Sequence, residues 1–144
     1  MTPVESQART PPNNAVTLRV PGTSTSLRFS NYKSLVYQTE TDLCIIEALA
    51  DIFATVVKNK QDGFLRLNKY VQSYGEVIMV MDDWAPPARR LTYGIVTSAF
   101  RGIALFYSLY GYFGVDIDIM DGKWGMVGTG MIRGGSSPTG PRRR

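Results

Sequence analysis

A chain of 144 residues, 44% apolar and 19% charged, is long enough for one domain with its own core and needs no disulfide or metal to hold it together. Cys44 is the single cysteine, which excludes an intrachain disulfide. The lack of histidine excludes every Ser-His or Cys-His nucleophile and the commonest metal ligand. The formal charge of +4 belongs to the C-terminal end: residues 15–132 hold eleven basic and eleven acidic groups, Glu5 and Arg9 cancel, and Arg133, Arg142, Arg143 and Arg144 make the surplus.

In chain order, residues 1–14 are polar, contain Pro3, Pro11 and Pro12, and are expected to form a disordered arm. They lack the apolar run of a secretory signal, so with Met1 as the natural start the expected location is intracellular, in the cytoplasm. Val16, Leu18 and Val20 alternate with Thr17 and Arg19, "PGTSTS" interrupts, and Leu27 and Phe29 alternate about Arg28. This pattern predicts a hairpin. Residues 39–60 predict a helix, capped by Thr39 or Thr41, with Glu40 and Asp42 at its positive end and Lys58 and Lys60 at its negative end. Ile45, Ile46, Leu49, Ile52, Phe53, Val56 and Val57 are assigned to its core face, and Glu47, Asp51, Thr55 and Lys58 to the opposite one. Residues 64–75 fit either an irregular strand or a helical turn. "EVIMVM" over 76–81 reads as a buried strand, which the two prolines of "DDWAPPARR" end.

Residues 91–113 predict a second helix. Its length and greasiness would suit a membrane span, but Arg101 at its centre costs about 2.5–3.5 kcal/mol on an insertion scale. Thr97, Ser98, Arg101 and Ser108 form a polar stripe, so a buried helix is expected, with Ile95, Phe100, Ile103, Phe106 and Tyr110 on the other side. "GVDIDIMDGKWGMVGTG" over 114–130 fits neither a calcium loop nor a dinucleotide fingerprint: the acids are misspaced and no helix follows the glycines. It reads instead as a hairpin with an Asp121-Gly122 two-residue turn, placing Ile119 opposite Trp124, Ile117 opposite Met126 and Val115 opposite Gly128. Asp116 and Asp118 then face solvent. Residues 133–144 are expected to be a disordered basic tail. The order β-β-α-(β)-β-α-β-β predicts an α+β domain over 15–132, a two-layer sandwich with a mainly antiparallel sheet of five or six strands and two helices on one face.

The chemistry left in this chain is thin. Cys44 sits between Leu43 and Ile45 and reads as an inert buried thiol, and Asp82-Asp83 is a weak acid pair. No phosphate loop or zinc spacing occurs, so no catalytic residue, cofactor or metal is expected. The expected role is a non-catalytic binding or self-associating domain. Its expected partner is a second copy or another protein, met through the aromatic surplus at Tyr107, Tyr110, Tyr112, Phe113 and Trp124. One alternative is a binder of nucleic acid or an anionic surface through Arg142, Arg143 and Arg144. Another is membrane association through residues 91–113. Leu91, Thr92, Tyr93 and Gly94 at the helix start, Arg101-Gly102 after it, and Gly125 and Gly128 near the close make residues 76–132 resemble the C-terminal half of small uncharacterised proteins of filamentous fungi. That resemblance implies no activity and supplies no functional residue.

Overall fold

The computed structural model describes residues 11–84, 90–122 and 124–134. The arm and tail expected to be disordered lie largely outside them, as do Arg89, Lys123 and Arg142 to Arg144. Strands β1 (Val16–Arg19) and β2 (Thr25–Ser30) form the first hairpin, Val16 opposite Phe29 and Leu18 opposite Leu27. Helix α1 (Gln38–Asn59) follows. Neither expected threonine caps it: the N-cap is Tyr37, which makes no side-chain cap bond. The helix begins ahead of both threonines, so they fall inside its first turns. There the Thr41 hydroxyl donates back to the Tyr37 carbonyl at 2.7 Å. The Glu40 carboxylate instead accepts from the Glu76 amide at 2.7 Å, tying the start of α1 to a distant turn.

Residues 64–75 contain both predicted alternatives in succession. A short 3-10 turn, Arg66–Asn68, leads into strand β3 (Lys69–Tyr74). Gly75 at φ +59 begins the tight turn into β4 (Val77–Asp83), with Tyr74 opposite Val77. Helix α2 (Tyr93–Tyr110) is shorter than expected at both ends. It starts where the Thr92 hydroxyl accepts from the Ile95 amide at 3.2 Å, and it stops at Gly111. No helix among the described residues is long and apolar enough to cross a membrane.

Strands β5 (Val115–Asp121) and β6 (Gly125–Gly134) form the last hairpin, and its turn corrects the expected register. Ile119 lies opposite Gly128, Ile117 opposite Gly130 and Val115 opposite Ile132. The Trp124 amide donates to the Asp121 carbonyl at 2.9 Å, and Gly125 takes the left-handed conformation at φ +77. A three-residue loop closed by a left-handed glycine therefore replaces the two-residue Asp-Gly turn, with Gly125 as the left-handed residue and Gly122 in an ordinary conformation. The faces survive the shift: Val115, Ile117 and Ile119 are buried and Asp116 and Asp118 point away from them.

The six strands make one antiparallel sheet in the order β1-β2-β5-β6-β4-β3. The first hairpin and the β3–β4 hairpin stand on the two flanks, and the last hairpin fills the gap between them. The glycine-rich strand β6 is central and paired on both sides. The edges are β1 and β3. Its glycines fit that place: a Cβ on Gly128 would lie 2.7 Å from the Asp82 carbonyl oxygen and 2.9 Å from Leu91. Both helices lie on one face, α1 against β3 and β4, α2 against β1 and β2, antiparallel to each other. Between the layers sit Leu27, Phe29, Ile52, Met79, Met81, Phe100, Ile103, Phe106, Ile117 and Ile119, all buried. The result is the two-layer α+β sandwich that the sequence predicts.

Candidate interaction surface

Two broad surfaces flank this core, the bare face of the sheet and the outer side of the helix layer. The bare face is built by the strands' alternation, which sends one residue in two away from the helices. Register lines up Thr17, Arg28, Asp118, Thr129, Asp82 and Lys69 across the six strands. Arg28 stands 3.7 Å from Asp118, and Lys69 stands 3.7 Å from Asp82. One row over, Arg133 bonds Asp116 at 2.6 Å, and the Asn31 amide donates to the other oxygen of that carboxylate at 2.9 Å. Partial burial alone would raise the pKa of Asp116; the bonds from Asn31 and Arg133 and the nearby positive charge outweigh it and hold the carboxyl below its ordinary value. The face is dished by about 510 Å3 around these groups. Its carboxylates are committed to cationic neighbours rather than gathered on one point. Among the described residues no set of three acidic or thiol side chains converges as a metal site would require.

The expected acid pair comes apart. β4 runs two residues past its predicted end, so Asp82 faces outward to Lys69 while Asp83 turns inward and is buried. There Asp83 accepts from the backbone amides of Arg90 and Leu91, fixing the entry to α2. Cys44 is buried under α1, its thiol donating weakly to the Gln72 carbonyl. Burial first, and then the charge of Glu47, push its pKa up to about 12. Such a thiol carries no thiolate at neutral pH and is no nucleophile.

The aromatic residues expected at an interface divide. Tyr107 and Phe113 are buried inside the domain: the Tyr107 hydroxyl donates to the Phe113 carbonyl, and both rings pack around Phe106. That corrects their assignment, and the reason is the ring cluster of Phe29, Tyr32 and Phe106, which the first hairpin contributes and α2 completes. Tyr110 lies half-buried against Phe106, with ring centres 4.9 Å apart. Tyr112 is half-buried and donates to Asp42 at 2.8 Å. Trp124 is exposed at the last turn, the Arg90 guanidinium 5.9 Å from its ring centre.

The outer side of the helix layer holds what the sequence reading assigned to the core. Only Thr41, Cys44, Ile45, Ala48 and Ile52 of α1 are buried. Ile46, Phe53 and Val57 are 59%, 71% and 55% exposed. With exposed Ala50 they recur at intervals of four, three and four residues, one stripe along the helix. Beside the stripe a groove of about 600 Å3 runs between the helices, lined by Leu49, Phe53 and Val56 of α1 and Gly94, Thr97 and Arg101 of α2. A signal for this surface was present in the sequence. The apolar residues of 44–57 cover more of the helix circumference than one sheet can bury, and the surplus repeats with its own heptad spacing.

No family model, curated protein or solved structure matches the chain.

Proposed function

We propose that this domain is a non-catalytic protein-binding module that docks its partner on the outer side of the helix layer. The observation that carries this reading is the exposed stripe of Ile46, Phe53 and Val57, with Phe53 the most exposed of them. Burying one such side chain is worth roughly 1.5–3 kcal/mol, so three in one contact supply much of what a specific complex needs. Contiguous apolar surface of this kind marks interaction sites on soluble domains. The remaining polar groups support a structural role for themselves: Asp83 holds backbone, Asp82, Asp116 and Asp118 face cations, and the Cys44 thiol is buried.

The test compares two baits in a lysate of the source cells, the wild-type chain and Phe53→Glu, with captured proteins identified by mass spectrometry and the untagged chain itself counted among them. At least one protein should be retained by the wild type and lost by the variant. Equal capture by both baits rejects the helix-layer surface.

A further inference from the structure

We infer that one end of the sandwich, where the β1–β2, α1–β3, β4–α2 and β5–β6 connections meet, rests on an anionic lipid bilayer, with Leu67, Trp84 and Trp124 entering the headgroup layer and the cations around them meeting its charge. This end is distinct from the outer side of α1, so the inference stands apart from the protein-binding reading. Strand pairing gathers the four connections: Lys69 lies opposite Asp82, Asp83 opposite Gly128, and Asp121 opposite both Thr25 and Gly125. α1 ends and α2 begins at the same end. Direct contacts join the connections to one another. Phe64 bridges to Thr92, and the Arg66 amide donates to the Tyr93 hydroxyl at 3.4 Å. The Trp84 amide donates to the Val127 carbonyl at 3.0 Å. The Arg90 guanidinium donates to the Met126 carbonyl at 3.2 Å and stands 5.9 Å from the ring centre of Trp124.

Leu67 is the residue that the fold itself does not explain. The Asn68 amide donates to the Leu65 carbonyl at 3.3 Å, closing a turn in which Leu67 takes the left-handed conformation at φ +58. A branched side chain is strained there, and glycine would not be. Leu67 is 86% exposed, so burial within the domain offsets little of that strain. A strained residue held out at a turn tip points to a contact outside the domain. Phe64, Trp84 and Trp124 are exposed on the same group of connections. Loop tips at one end of a sandwich suit a flat partner. Tryptophan settles in the headgroup layer and leucine inserts below it, whereas a nucleic acid stacks on ring faces, which Leu67 lacks.

Charge selects the anionic surface. Beyond the paired row of Arg28, Asp118, Asp82 and Lys69, this end holds Arg19, Lys58, Lys60, Arg66 and Arg90 against Asp62, Asp83 and Asp121, five to three among the described residues. None of the five cations forms an ion pair there. The three acids are engaged locally: Asp62 accepts from the Gly63 and Gly94 amides, Asp83 from those of Arg90 and Leu91, and Asp121 from the Ser24 hydroxyl. The far end of the sheet reverses the balance, with Lys33 and Arg133 against Glu40, Asp42, Glu76 and Asp116. The described domain is therefore a charge dipole, and an anionic surface orients it with Leu67 and both tryptophans facing the lipid.

The experiment titrates the purified full chain with vesicles of phosphatidylcholine, with and without phosphatidylserine, and reads tryptophan fluorescence. The chain has two tryptophans, and both lie at this end. With phosphatidylserine present, their emission should shift to the blue and be quenched by acyl-chain-brominated lipid, and the binding should weaken as salt rises. Leu67→Glu should weaken the binding by roughly tenfold or more. Lys58→Ala with Lys60→Ala should do so by roughly tenfold as well. Leu67→Gly should also weaken it without lowering the melting temperature, because glycine takes a left-handed φ freely. Sedimentation with the vesicles while the tryptophan emission stays unchanged overturns the inference and assigns the binding to the basic tail, which leaves from the far end of β6. Failure to bind, or equal binding to vesicles without phosphatidylserine, also overturns it. So does a lower melting temperature in Leu67→Gly, which would make Leu67 a part of the fold. A gel shift with single-stranded RNA that depends on Trp84 and Trp124, with no vesicle binding, replaces the bilayer by a nucleic acid.

Discussion

At the scale of single residues, alternation along a strand decides what a side chain can do. Asp82 and Asp83 are neighbours in sequence, and their pairing as acids depends on both lying in a loop. The strand carries on through them instead, so one meets Lys69 in solvent and the other enters the core. Nothing in the local composition announces that extension, since "DDWAPP" has the look of a turn. The partner that sustains it, Gly128 opposite Asp83, is 45 residues away in the chain. The inward carboxylate then holds two backbone amides that have no other partner of equal strength at the entry to α2. Asp83→Ala leaves the buried Leu91 amide and the half-buried Arg90 amide without an acceptor, and such a loss costs roughly 1–3 kcal/mol. Urea denaturation should show a lower midpoint with an unchanged slope, while Asp82→Ala, which removes only an exposed ion pair, should leave the midpoint within experimental scatter.

At the scale of elements, the helices were legible in existence, order and approximate length, because apolar periodicity over about twenty residues is a strong signal. Their ends were less so. The sequence offers Thr39 and Thr41 as caps of the first helix and places Thr92 inside the expected second one. The structure separates them. Thr92 alone accepts from a first-turn amide, Thr39 is exposed within α1, and Thr41 donates its hydroxyl backward. Thr92→Ala should therefore cost about 1 kcal/mol and lower the melting temperature by about 3 °C, while Thr39→Ala should leave it unchanged. Differential scanning calorimetry of the two variants checks this. The outward stripe of α1 was misread for a related reason. A helix pattern shows which residues share a side, not how wide an arc its neighbours cover. Here the sheet and α2 together bury Ile45, Ala48 and Ile52 and leave Ile46, Phe53 and Val57 in solvent. The last hairpin carries the same lesson: "MDGKWG" contains a strong two-residue turn signal, but the left-handed position falls on Gly125 instead.

At the scale of the whole molecule, the distribution of charge decides where an anionic polymer could bind. On the bare face of the sheet the cations stand beside carboxylates. Arg28 and Lys69 stand beside Asp118 and Asp82 in one row of the sheet, and Arg133 is held by Asp116 and two backbone carbonyls. A phosphate arriving at any of these would meet a carboxylate at the same point and gain little, since release of condensed counterions requires a cation that is free to replace them. Arg101, on the helix layer, stands beside an apolar groove. What the sequence holds beyond the fold is Arg142, Arg143 and Arg144 with no acid after Asp121. The structure also moves the boundary between fold and tail: β6 continues to Gly134, so Arg133 belongs to the sheet and not to the basic end. A deletion that tests the tail must therefore begin at residue 135, because one that began at 133 would also break the Asp116 pair. The chain lacking 135–144 should keep the melting temperature of the full chain and lose any low-salt gel shift with single- or double-stranded DNA. A shift of undiminished strength in the truncated chain would place the affinity on the fold, and Arg101→Ala and Arg90→Ala would then locate it.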